Sequence, residues 1–551
     1  MACSGAPKSA MPNLRLLVPS LATAAVLLAP ARSDAFCGFY VSGADARLTN
    51  NATNVVLMRD GTRTVLSMQN NYQGPPRDFA MVVPVPVILQ EKDVKTLNRA
   101  VFDRIDQLAA PRLVEYWEQD PCPPPAPEMD YKRMEDAAGS APMSAPVKSA
   151  ESRDYGVRIE AKFEVGEYQI LILSAEYSAG LDAWLRQNNY KIPAGAAEVL
   201  RPYVAAGQKF FVAKVDVSKV QFNAQGQAML SPLRFHYDSD TFALPVRLGL
   251  LNASGKQDLL VHILAKGDRY EMANYRNAAI PTNIEVTDST RRNFPGFYAS
   301  MFDRVLERHP GAIVTEYAWQ ANNCDPCPVP PLDASELTVL GADVSPTPNA
   351  YPDPGAYVLT RMHARYGAEN LGEDLVFRAG PPIVGGRETG GPEHNERGAT
   401  VTSQNNFQAR FIIRHLWTGP IRCRNPQRGI WGGPPDGAQP PAIAARDLAF
   451  AARNQPLRSF LKKELADETK LPGDPIKVDP YPRALGSTEP EPRTDPGTSV
   501  VTPPGPGQMT FATPPPLGRS GCASCDTTAG GGLAGLGLLA LVGLGLRRRR
   551  R

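Results

Sequence analysis

The sequence predicts a β-rich α+β protein: two related sheet-plus-helix units, a disordered Pro-rich stalk and one C-terminal transmembrane helix. Three observations carry that prediction. Short runs of strand-forming residues, punctuated by Gly, Pro and Asn, recur from Asn54 to Ile413. The stretch Phe102-Asp103-Arg104 returns 200 residues later as Phe302-Asp303-Arg304. Near the end, an uncharged run from Ala529 to Leu546 is followed by five arginines, Arg547 to Arg551.

Residues 1–35 form a secretory signal peptide: Arg15 precedes an apolar run from Leu16 to Leu28, and Ser33-Asp34-Ala35 is a small-x-small cleavage pattern before Phe36. Met11 is an alternative start, since the residues before it add nothing to the signal. Residues 36–122 read as a first β-rich unit with a helix. Asn54–Met58 and Arg63–Gln69 flank Asp60-Gly61, a pair suited to the two positive-φ positions of a type I′ hairpin. Phe79–Val87 follows as a strand that Pro84 and Pro86 should confine to an edge. Leu97, Val101, Ile105 and Leu108 then share one helical face, and Pro111 lies beyond the helix end.

Residues 123–156 are a Pro/Ala/Ser-rich linker without periodicity. Residues 157–465 form a second, larger β-rich region. It opens with a hairpin around Gly166 (157–174) and a short helix over 181–188 carrying Trp184 and Leu185. Phe211, Ala213, Val215 and Val217 alternate with Lys214 and Asp216, as in a strand with one wet face. Further strands are expected at 229–237, 242–251 and 259–265, then at Leu359, Leu375–Phe377 and Phe407–Ile413.

The repeat is wider than one tripeptide. Leu97, Val101 and Ile105 map onto Phe297, Met301 and Val305; Glu115-Tyr116-Trp117 is echoed by Glu316-Tyr317 with Trp319; both copies end in Asp-Pro-Cys-Pro, at 120–123 and 325–328. An internal duplication explains the shared Asp-Pro-Cys-Pro, which chance likeness of two amphipathic helices does not.

Residues 466–520 are Pro-, Gly-, Thr- and Glu-rich and cannot bury enough apolar surface to fold. As an extended stalk they would reach on the order of 150 Å at ~3.1 Å per residue. In the tail, 521–551, the run 529–546 as a helix matches a hydrocarbon core of ~30 Å. The arginine cluster keeps the C-terminus cytoplasmic and the body outside.

Export puts the cysteines in an oxidising compartment, where disulfides are the default. The body holds Cys37, Cys122, Cys324, Cys327 and Cys423, so one thiol is left over; Cys522 and Cys525 lie in the tail. The duplication places Cys122 and Cys327 equivalently, with Cys37 and either Cys324 or Cys423 as partners, and leaves the connectivity open. A redox role for Cys324-Asp325-Pro326-Cys327 is disfavoured because Pro328, Pro330 and Pro331 prevent a helix whose N-terminus would activate a thiol. The spacing of cysteines and of the six histidines supports no metal site, no GxSxG elbow occurs, and no cofactor is implied. His262, inside an apolar strand, reads as a core residue. Glu115 and Asp120 illustrate carboxylates whose roles the sequence does not distinguish.

The formal charge of +3 is misleading: residues 1–35 carry net +2 and the tail five arginines, so the exported body stands at −4. No basic run with interleaved aromatics is evident, and nucleic acid is not an expected partner.

Two resemblances add to this reading. Phe36-Cys37-Gly38-Phe39-Tyr40, Arg59-Asp60-Gly61-Thr62, Asp78 to Pro86 and Cys324-Asp325-Pro326-Cys327 resemble the DUF2330 family over about 36–380. This implies an exported or anchored envelope protein and transfers no activity. The cysteine motif, Gly/Leu span and arginine cluster resemble the MYXO-CTERM sorting tails of myxobacterial surface proteins. That implies processing or lipid attachment at Cys522 or Cys525 by a sorting protease, after passage through the export machinery. The expectation is a membrane-anchored envelope protein, extracytoplasmic on the surface of a Gram-negative bacterium. It would be a non-catalytic display, adhesion or binding module with an unidentified envelope partner; the alternative is an anchored hydrolase or thiol-disulfide enzyme.

Overall fold

A computed structural model describes residues 39–41, 53–69, 80–122, 155–190, 192–222, 228–252, 256–347, 351–367, 372–387, 395–435, 437, 443–444, 453 and 455–462. The signal peptide, nearly all of the linker, the stalk and the tail lie outside them, as do Cys37, Cys522 and Cys525. The elements that matter most for the site are β1 (Thr53–Asp60), β2 (Arg63–Gln69), α1 (Arg99–Ala109), β3 (Arg112–Glu118), β4 (Gln257–Lys266), α2 (Phe294–Arg308), β5 (Ile313–Gln320), β6 (Tyr357–Tyr366) and β7 (Arg410–His415). The fold is β-rich with few helices.

β1 and β2 form the expected hairpin, but Asp60 pairs with Arg63, so the two loop residues are Gly61 and Thr62. Positive φ falls at Gly61 alone, at 57°. That is the pattern of a type II′ turn, with glycine first, rather than the expected type I′. The hairpin lies inside an eleven-stranded sheet. β5, β6, β4, β1 and β2 are successive neighbours there; β4 runs parallel to β1, and the other contacts among these five are antiparallel. Strand Leu233–Asp238 continues the sheet beyond β2. Strands of 36–122 and 157–465 therefore interleave in one sheet.

A second, antiparallel sheet of five strands contains Ala80–Val85 between Phe39–Val41 and Lys209–Val215. The edge position expected for it from Pro84 is not observed. Pairing with Phe39–Val41 involves only Ala80, Met81 and Val82, so Pro84 lies past the end of that neighbour. Lys209–Val215 likewise has no wet face over its middle. Phe211 and Ala213 enter the core between the sheets, whereas Phe210 and Val212 pack under helices Ser178–Gln187 and Ala196–Ala205. Most of the strand expected over 242–251 is a 3-10 turn, Arg247–Asn252, after a short strand at Ala243–Leu244.

The core between the sheets alternates along the hairpin: Val55, Leu57, Leu66 and Met68 point into it. Val56, Met58 and Val65 point to the opposite face, against Val101, Phe102, Ile105 and Leu108 of α1. Alternate strand residues thus feed two cores. α1 starts at Asn98, whose side chain accepts from the Ala100 amide. α2 buries Phe294, Phe297, Met301 and Val305 against Phe411 and Ile413 of β7 and Leu113 of β3. β3 and β7 pair in parallel in a third sheet beside the large one. Both helices run directly into a strand, α1 into β3 and α2 into β5.

Candidate functional site

The polar chemistry of the interior gathers on one face of β5 and β6, under α1 and α2. In β6, Arg361, His363 and Arg365 alternate with apolar residues, which sets three cations on one face of the strand. β5 meets them with Glu316, where the register with β6 slips between Thr315 and Tyr317. Such a bulge re-aims a side chain. Here the Glu316 carbonyl accepts from the Ala409 amide instead of pairing with β6, which ties β5 to the approach of β7.

Glu316 is fully buried, and its oxygens are occupied. One lies 2.5 Å from the Tyr298 hydroxyl and 2.8 Å from His363 Nδ1; the other accepts from Arg361 Nε at 2.7 Å. His363 Nε2 stands 3.1 Å from Asp258, whose second oxygen accepts from Arg365 Nη1 at 2.9 Å and Arg453 Nη2 at 3.0 Å. Arg453 then reaches Asp303 and Arg361 reaches Asp106, each at 2.5 Å. Both nitrogens of His363 thus face carboxylate oxygens, which only accept. Both N–H groups donate and the ring is the imidazolium. Among the described residues, four carboxylates (106, 258, 303, 316) meet four cations (361, 363, 365, 453), so the charges of these eight groups balance.

Burial alone would raise the Glu316 carboxyl, but the charges of His363 and Arg361, with bonds from His363 and Tyr298, hold it at about 2. Asp258 is also held at about 2, with His363, Arg453 and Arg365 outweighing burial. Burial opposes the His363 charge, yet Glu316 and Asp258 raise it above the ordinary histidine value. Phe302 stacks on the ring at 3.9 Å between centroids. The network saturates its own acceptors and leaves no carboxylate oxygen of Glu316 facing a substrate.

A second version of the arrangement stands on β3. Glu115 pairs with His415 Nε2 and Arg291 Nη1, both at 2.8 Å, and Trp117 stacks on His415 at 4.7 Å. Asp120, by contrast, accepts from the Cys122 amide and caps a turn. His262 is buried, with Nδ1 3.0 Å from Asn54 Oδ1; burial and then Arg361 push its pKa down to about 3.

The open connectivity resolves into Cys122–Cys423, with Cα atoms 5.6 Å apart, and Cys324–Cys327, at 4.9 Å. The first clamps the chain after β7 onto the end of β3. Glu118 reinforces the clamp, accepting from the Trp417 and Gly429 amides at 3.0 and 2.9 Å and pairing with Arg428 at 3.0 Å. The Gln119 amide donates to Ile430 and the Gln427 amide to Pro121. Held this way, the loop presents Leu416, Ile421 and Ile430, 65%, 50% and 44% exposed, among exposed Arg422 and Arg424.

Sequence reading missed this loop. Residues 397–435 carry six arginines, Trp417 and Trp431 and no acidic residue, in a body otherwise mildly acidic. Three of the six, Arg422, Arg424 and Arg428, lie in the loop itself, whereas Arg410 and Arg414 are buried in β7. It also missed the buried network, although Arg361-x-His363-x-Arg365 inside an apolar strand was a visible signal. No cluster able to hold a metal ion occurs among the described residues. No helix among them is long and apolar enough to cross a membrane.

The molecule is thus a β-rich protein with few helices, carrying two disulfides and a buried ion network. Residues 31–378 match the model of the family described as Uncharacterized protein conserved in bacteria (DUF2330), and the chain belongs to that family. No curated protein and no solved structure matches it.

Proposed function

We propose that this protein is an exported, envelope-anchored binding or display module without catalytic activity. The observation that supports this best is the loop of residues 416–431. A disulfide and Glu118 hold exposed aliphatic and arginine side chains outward on a rigid sheet end. Exposed apolar groups rimmed by charge mark interaction surfaces. Saturation of the buried carboxylates argues in the same direction, since a catalytic acid or base must reach the reacting atom. A signal peptide, stalk and sorting tail would display the body beyond the membrane, with Cys522 or Cys525 as the processing residue. The likeness of α1-β3 to α2-β5, each with a Glu–His pair at the strand, favours a duplicated unit within it.

Intact mass spectrometry of the protein from membrane fractions, with and without reduction, tests this together with protease shaving of whole cells. The expected product begins at Phe36, ends near Cys522 with added mass, loses its disulfides only on reduction and is cut in intact cells. A protease-protected chain with reduced cysteines and both ends intact overturns the reading. A second reading, thiol-disulfide exchange, is favoured by the exposure of Cys327. It predicts turnover of a disulfide substrate that Cys324→Ala abolishes.

A further inference from the structure

Arg112 and Arg410 face each other as register partners on the parallel strands β3 and β7, 0% and 1% exposed. Every hydrogen-bond acceptor they have is neutral. Arg112 donates to the carbonyls of Pro326 at 2.7 Å and Leu108 at 2.6 Å. Arg410 donates to Asn283 Oδ1 at 2.8 Å and to the Tyr116 hydroxyl at 3.0 Å. Among the described residues neither forms an ion pair. This contrasts with the neighbouring network, where each cation has its carboxylate.

The same place collects polar atoms with no partner among the described residues: Arg112 Nε, Arg410 Nη2, Arg361 Nη2 and the Tyr317 hydroxyl. The other three residues all act on the charge of Arg112. The Arg112 guanidinium carbon sits 5.6 Å from the centre of Tyr317, and Tyr317 is the register partner of Arg361 on one side and Gln408 on the other. The turn carrying Cys324–Cys327 closes the arrangement, because Gln408 donates to the Asp325 carbonyl and Arg112 to that of Pro326. Burial, with the charges of Arg410 and Arg361, pushes Arg112 down to about 10, which still leaves it protonated at neutral pH.

Two buried guanidinium groups without an ion-pair partner, with only the Asp325 carboxylate acting on Arg112 from a distance, are a costly arrangement for a core, and unpaired donors add to that cost. One monoatomic anion removes both liabilities, accepting from several N–H and O–H groups at once. We propose that Arg112 and Arg410, with the Tyr317 hydroxyl, bind a small inorganic anion of the halide class, chloride being the abundant member. The close packing of Tyr317, Gln408 and the Asp325-Pro326 turn favours a single atom over an oxyanion with its larger, more strongly held hydration shell. Occupancy would join the third sheet to the large one beneath the Cys324–Cys327 turn.

The test is thermal unfolding of the oxidised full chain in mild detergent, at constant ionic strength, with chloride progressively replacing gluconate. A ligand that binds only the folded state raises the midpoint with its concentration. The expected result is a saturable rise with chloride, reproduced by bromide and not by phosphate. Tyr317→Phe should move the half-effect several-fold to higher chloride, and the double variant Arg112→Met with Arg410→Met should abolish the response. If the double variant does not fold, saturable chlorine-35 line broadening by the parent chain, displaced by bromide, gives the same reading. A parent midpoint indifferent to the exchange of chloride for gluconate overturns the proposal. So does a response to phosphate alone, or a double variant that retains the chloride response.

Discussion

Glu316 illustrates how a single residue can be indispensable without being reactive. It is an acceptor for Tyr298, His363 and Arg361 at once, in a fully buried place. Glu316→Gln keeps the shape and removes the charge, leaving Arg361 and His363 under-compensated. The expected loss is about 3–5 kcal/mol, the usual cost of breaking a buried pair from one side, read from the urea midpoint. The pH dependence has two arms. Glu316 and Asp258, both at about 2, lie below their unfolded values of ~4. Their contribution is therefore complete above that value and is lost as the pH falls toward 2. His363 is shifted upward, so its contribution is complete below ~6.5 and is lost as the pH rises through the raised folded value. His363→Gln should flatten the alkaline arm of a stability profile. An alkaline arm identical in the parent and the variant would remove His363 as its source.

At the scale of elements, the two disulfides do different work. Cys122–Cys423 spans 301 residues, for which the chain-entropy model gives about 5–6 kcal/mol. Cys324–Cys327 spans three and gives about 2 kcal/mol on the same model. Replacing Cys122 and Cys423 by alanine should therefore lower the urea midpoint far more than replacing Cys324 and Cys327, and equal losses would contradict the model. The elements also show what was legible in the sequence. α1 was readable because its apolar face repeats at helical spacing, and the β1–β2 hairpin because Gly61 marks its turn. Ala196–Ala205 was not, since Pro202 breaks the pattern inside it. The wet face inferred for Lys209–Val215 fails over the middle of the strand because Phe210 and Val212 are covered by the helices, while Lys214 is half-buried with its ammonium 4.2 Å from the Tyr190 ring centre. The buried network was partly legible as Arg361-x-His363-x-Arg365. Its partners were not, because Asp258 and Glu316 lie 105 and 47 residues from His363 and meet it only through sheet pairing.

For the molecule as a whole, the sheet order decides how the chain folds. β1 lies between β2 and β4, and β2 lies between β1 and Leu233–Asp238, so each central strand of residues 36–122 has a neighbour from beyond residue 230. β3 takes β7 as its parallel partner, about 300 residues later, and the Cys122–Cys423 bond joins the same two stretches. A duplicated sequence would ordinarily suggest two units able to fold separately, and this topology denies that autonomy to the first. Expressed alone, residues 36–122 would keep the hairpin and α1 but expose Val55, Leu57, Leu66 and Met68, whose cover comes from the five-stranded sheet and from strands of 157–465. That fragment should lack cooperative unfolding and slow amide exchange, whereas residues 36–465 should unfold in one transition. Protected β1 amides in the isolated fragment would show that the first unit folds without the second, and the parallel β1–β4 contact would then be a docking of finished units. Their absence would make that contact part of folding itself, with closure over some two hundred residues as its slow step.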